Sequence, residues 1–61
     1  MSQITCKELS ALSDLLGAEQ NLVAKFKAYA EQTTDVALKN HYEQIAQQHQ
    51  RHFDQLYSNL K

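Results

Sequence analysis

Residues 30–38 read AEQTTDVAL, and the TTD at positions 33–35 interrupts an otherwise continuous helical pattern. Threonine and aspartate are poor residues for a helix interior and good ones for the position just before a helix. We expect Thr34 to be the N-cap of a second helix, with Asp35 placed to interact favourably with the helix dipole. Because the connection is only a few residues long, it predicts that the two helices lie antiparallel.

The sequence on both sides of this turn favours helix. It contains no proline and a single glycine, Gly17, and it is rich in Ala, Leu, Gln, Glu and Lys, which are good helix formers. Thr5 and Glu8 have the spacing of a capping box, so the first helix should begin near Cys6. The prediction is one all-α hairpin domain over residues 1–61, with helices at about 6–32 and 36–60 and a turn at about 33–35.

Mostly apolar residues recur at alternating spacings of three and four along both helices, which is the pattern of a packed helical seam. In the first helix the seam positions are Leu9, Leu12, Leu16, Glu19, Val23, Phe26 and Ala30. In the second helix they are Leu38, Tyr42, Ile45, His49, His52, Leu56 and Leu60. Folding about the turn pairs residues whose numbers add to about 68, so it places Glu19 beside His49 and Leu16 beside His52. The polar residues of the two seams are therefore expected in one layer.

A hairpin of this size needs a further source of stability. A chain of 61 residues buries little apolar surface, and Cys6 is its only cysteine, so a disulfide within the chain is excluded. Apolar residues also flank the seams, on a side that the other helix cannot fully cover: Leu15, Leu22, Tyr29, Ala46, Phe53 and Tyr57. This strip predicts a homodimer in which two hairpins form a four-helix bundle with two-fold symmetry.

The polar layer has two interpretations. Glu19, His49 and His52 could supply three ligands to one zinc, iron or similar transition-metal ion. Alternatively, Glu19 accepts a hydrogen bond from one of the histidines, and the layer fixes the register of the two helices. The single carboxylate of each hairpin supplies too little negative charge for a centre with two divalent ions. A site that binds a single ion is therefore more suitable.

Several classes of function have no support in the sequence. The net charge of −1, with acids and bases interspersed, provides no basic surface for nucleic acid. The chain has neither an apolar run long enough to span a membrane nor a signal peptide at its N-terminus, so a cytoplasmic location is expected. No catalytic triad or phosphate-binding loop can be assembled, and no enzymatic activity is predicted.

The stretch LLGAEQNLVAKFKAYAEQTTDVALKNHYEQIAQQHQRHFDQL, residues 15–56, resembles the helical hairpin of ferritin-like proteins. In those proteins the first helix carries a glutamate after a leucine pair, and the second helix ends in Glu-x-x-His. The chain looks closer still to short ferritin-like proteins of spore-forming Firmicutes related to the spore coat protein F family. The resemblance covers about residues 9–60 and implies a ferritin-like four-helix bundle.

Carried over to this chain, the family pattern matches Glu19 to the first glutamate and His52 to the histidine. His49 stands where the second glutamate belongs, and this departure speaks against a di-iron oxidase. The resemblance instead implies a non-catalytic structural or assembly protein that acts as a homodimeric bundle, in the cytoplasm or the spore coat, with other coat proteins as further partners. The alternative is a metal-binding protein, vestigial in the ferritin-like sense, that uses Glu19, His49 and His52.

Overall fold

The computed structural model describes residues 4–60 and contains two helices, α1 (Cys6–Gln32) and α2 (Val36–Ser58), that pack against each other as a hairpin. Residues 1–3 and 61 of the predicted domain lie outside the described residues. The hairpin is elongated, with extents of 47 × 15 × 10 Å. The predicted all-α hairpin is therefore confirmed.

The start of α1 is fixed by the predicted capping box. The Glu8 backbone N–H donates to Thr5 Oγ1 at 3.1 Å, and the Thr5 N–H donates to Glu8 Oε1 at 3.3 Å. Two of the backbone donors that a helix start leaves without partners are satisfied in this way. The first helix therefore begins at Cys6, as its sequence predicts.

Helix α2 begins at Val36, as predicted, but its N-cap residue differs from the prediction. Asp35, and not Thr34, is the N-cap: the Leu38 N–H donates to Asp35 Oδ1 at 3.0 Å. The Asp35 N–H in turn donates to Thr33 Oγ1 at 3.2 Å. An ionised carboxylate accepts a stronger hydrogen bond than a hydroxyl and also interacts with the positive end of the helix dipole. The aspartate therefore takes the cap position.

The end of α2 is also earlier than expected. The helix ends at Ser58, and residues 59–60 form a turn in place of the last two predicted helical positions. The Ser58 hydroxyl and the Asn59 side-chain amide both donate to the carbonyl of Gln55. Side chains that bond to the backbone in this way compete with continued helix.

Little of the hairpin is buried. Among the described residues, only Val23, Ala30 and Ala46 are buried, and no side chain is fully buried. Beside this small core the rings of Phe26, Tyr29 and Tyr42 pack together, with centroids 5.6–6.0 Å apart. The two helices therefore make their closest packing in the half of the hairpin nearest the turn.

The apolar strip predicted on one side of the hairpin is not a single surface. Ala46 is buried at the floor of a groove that Lys27 and Glu43 also line. Lys27 and Tyr29 are two residues apart, which places them on roughly opposite sides of α1. Phe53 lies seven residues after Ala46 and shares its side of α2, so it cannot form one strip with Tyr29.

Within residues 4–60, neither helix is both long and apolar enough to cross a membrane.

Candidate functional site: a glutamate between two histidines

Glu19 and two histidines form a polar layer across the middle of the hairpin. Glu19 Oε1 lies 2.8 Å from His49 Nδ1, and Glu19 Oε2 lies 3.0 Å from His52 Nδ1. We use the name polar layer for these three residues. The predicted pairing of Glu19 with His49 is confirmed by this contact.

The sequence predicted that Glu19 would accept from one of the two histidines, whereas in the structure it contacts both. The seam register placed His52 beside Leu16, one turn of α1 away from Glu19. His49 and His52 are three residues apart and so share one side of α2, and the two oxygens of one carboxylate can each accept a bond. Glu19 therefore binds both histidines at once, which a pairing of backbone heights alone does not reveal.

The polar layer is closed on one side and open on the other. The exposed fraction is 13% for the Glu19 side chain, 23% for His49 and 46% for His52. The His49 ring stacks on Phe26, with centroids 6.2 Å apart and planes inclined by 16°, and meets the His52 ring edge-on at 5.6 Å. The aromatic cluster thus holds His49 in place, while His52 lies at the surface, where a ligand or a second protein can reach it.

The hydrogen bonds determine which atoms remain available. When Nδ1 of a neutral histidine carries the proton and donates to Glu19, its Nε2 keeps a free lone pair. Glu19 is hydrogen-bonded to His49 and forms an ion-pair contact with His52, and no buried polar side-chain atom within residues 4–60 lacks a hydrogen-bond partner. The layer is therefore complete as a structural hydrogen-bond network.

The same three side chains have the composition of a metal site. Each offers one ligand atom, and these atoms all lie within 4.8 Å of one another. A tetrahedral zinc ion about 2.1 Å from its ligands holds them about 3.4 Å apart, so a small inward turn of the side chains would be enough. No other group of three or more histidine, cysteine or acidic side chains within residues 4–60 comes this close. Three ligands would leave the remaining coordination positions to water or to a partner.

Other side chains that could carry chemistry lie at the surface. The Cys6 thiol is free and exposed in the first turn of α1, and His41 is exposed. Four acidic side chains are exposed as well: Asp14, Glu31, Glu43 and Asp54. The sequence did not indicate a shallow groove beside the helix interface, lined by Lys27, Ala30, Glu31, Lys39 and Glu43.

Comparison with known proteins adds no assignment to this geometry. No protein-family model, no curated protein and no solved structure matches the chain.

Proposed function

We propose that this chain is a non-catalytic structural or assembly protein that acts as a homodimer of helical hairpins. The observation that carries the proposal is the lack of a core, since only three residues are buried and no side chain is fully buried within residues 4–60. The hairpin exposes 4758 Å². A folded monomer of 7.0 kDa is expected to expose about 4,000 Å². The hairpin therefore exposes more surface than a compact monomer of its mass.

The exposed side chains support a partner of the same kind. Six large apolar residues are exposed: Leu9, Leu15, Tyr29, Val36, Leu38 and Tyr57. Apolar surface of this extent, distributed along two helices, is typical of a surface for association. A second hairpin has the same length and the same exposed helix faces, so two copies can form a four-helix bundle with two-fold symmetry.

The polar layer has a structural role in this proposal. The hydrogen bond of His49 with Glu19 and the ion-pair contact of His52 with Glu19 favour one register of α1 against α2. A slip by one helical turn in the direction that carries both histidines away from Glu19 would leave a largely buried charge without a partner, which is costly. The layer therefore selects a single arrangement of two helices whose apolar contacts are few.

The resemblance to ferritin-like spore coat proteins supports the assembly role and belongs to the same proposal. It rests on Glu19 and His52 in the positions of the family's ligands, and on His49 where the family has a second glutamate. In this proposal the protein resides in the cytoplasm or the spore coat, and other coat proteins are its further partners.

Sedimentation equilibrium tests the homodimer directly. The expected result is a species of twice the 7.0 kDa chain mass at micromolar concentration, with a thermal midpoint that rises with protein concentration. A helical monomer that unfolds cooperatively, with a midpoint independent of concentration, would contradict the proposal.

A second candidate function is metal binding by the polar layer. The specific observation in its favour is that three ligand atoms lie within 4.8 Å of one another. Glu19, His49 and His52 would hold one zinc, iron or similar ion, which would supply Lewis acidity or structural cross-linking. Because Glu19 is the only carboxylate of the layer, a single ion suits the site better than a pair.

Metal titration separates the two functions. Protein purified without a histidine tag is titrated with zinc in a calorimeter, and its thermal midpoint is measured with and without chelator. Metal binding predicts saturable uptake and a higher midpoint with zinc, both lost in His49→Gln and retained in His41→Gln, a matched change at an exposed histidine. Equal heats of zinc binding for wild type and His49→Gln would contradict metal binding by the polar layer, and only its structural role would remain.

A further inference from the structure

Helix α1 carries a second seam that the hairpin leaves largely exposed, although Tyr29 at its end also contacts Tyr42 of α2. It follows the same alternation of four and three residues as the first seam and is centred about 100° away from it around the helix. Its six positions are Ala11, Leu15, Ala18, Leu22, Lys25 and Tyr29. Leu15 is 53% exposed and Tyr29 is 38% exposed, whereas Val23 and Ala30 of the first seam are buried.

We propose that the second seam binds the second seam of another copy of this chain, with the two α1 helices antiparallel and the two-fold axis near residue 20. The inference rests on the homodimer of the proposed function and adds the face and the direction of the contact. In this arrangement, residues whose numbers add to about 40 lie opposite each other.

The side-chain sizes along the second seam fit this pairing. Ala11 lies opposite the partner's Tyr29, and Ala18 lies opposite the partner's Leu22. Small residues therefore face large ones at four levels of the interface, because the two-fold axis repeats each pair. A parallel pairing would place Ala18 on Ala18, which leaves a gap, and Tyr29 on Tyr29, which crowds the interface. Close packing of helices favours the antiparallel choice.

The charges beside the second seam fit the same register. Lys25 lies opposite the partner's Leu15, next to the partner's Asp14. Because the two-fold axis repeats this contact, the interface gains two Lys25–Asp14 ion pairs. Asp14 and Lys25 are both exposed, and neither forms an ion pair within the part of the hairpin that the structure describes. A parallel pairing would instead set Lys25 against the partner's Lys25. Charge complementarity at a rim selects orientation in this way.

The opposite face of the hairpin is a poorer candidate. Its groove has Ala30 in the wall and is lined by four charged residues: Lys27, Glu31, Lys39 and Glu43. None of the four forms an ion pair among residues 4–60. Covering this groove with a second copy would remove four hydrated charges from water, which costs free energy unless each is paired.

The proposed axis also brings the two polar layers together. Because opposite residues have numbers that add to about 40, Glu19 of the partner subunit lies level with residue 21 of the first chain. The two glutamates are therefore about 3 Å apart along the bundle axis. The least apolar level of each hairpin would then lie at the centre of the dimer.

The native thiol provides the first test. A spin label on Cys6, the single exposed cysteine, reports the separation of the two labels by double electron–electron resonance. Antiparallel pairing about residue 20 places them 28 residues apart along the axis, a separation of about 42 Å, whereas parallel pairing places them side by side. A separation of about 40 Å or more is the expected result, and one below about 20 Å would overturn the proposal.

Charge reversal tests the face. Lys25→Glu and Asp14→Lys should each raise the Kd of the dimer about tenfold, and the double variant should restore it. Lys27→Glu, on the other side of α1, is the matched control and should leave Kd unchanged. All three positions of change are exposed, and circular dichroism verifies that each variant stays helical.

The outcomes distinguish this inference from the homodimer itself. A monomeric wild type would overturn both. A wild-type dimer whose Kd responds to Lys27→Glu but not to Lys25→Glu would overturn the second seam as the interface and leave the homodimer standing.

Discussion

The two halves of the hairpin, on either side of the polar layer, are packed in different ways. The half nearest the turn contains all three buried residues, Val23, Ala30 and Ala46, and rings from both helices in contact. The open half contains no buried residue among those that the structure describes. Its ring pair, Phe53 stacked on Tyr57 at 6.0 Å, belongs to α2 alone.

This difference shows where a short turn can hold two helices together. Near residues 33–35 the connection keeps the helices close, so side chains of α1 and α2 interlock. Beyond the polar layer no covalent link restrains them, and Leu9, Leu15 and Tyr57 remain exposed. Association with a second copy is therefore expected to matter most for the open half.

The largest effect is expected from removing an aromatic ring in the half nearest the turn. Phe26 contacts Tyr29, Tyr42 and His49, so Phe26→Ala should lower the free energy of unfolding by about 3 kcal/mol. Phe53→Ala is the matched change in the open half and should cost about 1 kcal/mol. Urea denaturation at one fixed protein concentration measures both. Equal losses would show that the two halves are packed alike.

Removing the carboxylate at the boundary should have the next largest effect. Glu19→Leu removes the acceptor of His49 and the carboxylate in contact with His52, and it should cost about 1–2 kcal/mol. The double variant Glu19→Leu with His49→Leu should be more stable than the single one, because apolar residues often replace a buried polar pair without loss. Thermal unfolding of the three proteins provides the comparison. Equal damage from the single and double changes would contradict the paired layer.

Of the two cap candidates in the turn, Thr34 and Asp35, only Asp35 should be sensitive to substitution. Asp35→Ala removes the hydrogen bond to the Leu38 N–H and should cost about 1 kcal/mol. Thr34→Ala, at the residue expected from the sequence to be the cap, should stay within about 0.5 kcal/mol of wild type. Chemical denaturation distinguishes the two, and a larger loss for the Thr34 change would reverse the cap assignment.

The smallest effect is a gain in the open half. A Cβ added at Gly17 meets no atom within 4 Å, and the residue has no positive φ. Gly17→Ala should therefore stabilise the protein by about 0.5–1 kcal/mol by reducing the freedom of the unfolded chain. Ala24→Gly, an exposed position on the same helix, should cost about as much. A loss of stability on Gly17→Ala would show that a partner packs closely on that surface.

Much of the hairpin could be read from local patterns. The capping box of Thr5 and Glu8 involves residues three apart, and the seam spacing follows from 3.6 residues per turn. Predicting the pairing of Glu19 with His49 also required the position of the turn. Because both helices have the same rise per residue, residues equally far from the turn lie at the same height. These features depend on short-range geometry that is the same in every helix.

Other features depend on competition or on side-chain reach. Thr34 and Asp35 are both good caps, and only the folded turn decides between them. His52 reaches Glu19 although its backbone lies level with Leu16, because a side chain can turn along the helix. Ala46 was assigned to the apolar strip, yet it lies buried beside the Lys27 groove, since small residues let helices approach.

The sequence by itself determined two helices, the turn between them and a polar level at the middle of the hairpin, since these follow from periodicity and from the capping preferences of a few residues. Only the tertiary structure decided that one carboxylate binds both histidines, that the core is limited to the half nearest the turn, and that the apolar flanks lie on different sides. The physical reason is that these outcomes depend on the rotation of each helix about its axis and on the reach of individual side chains.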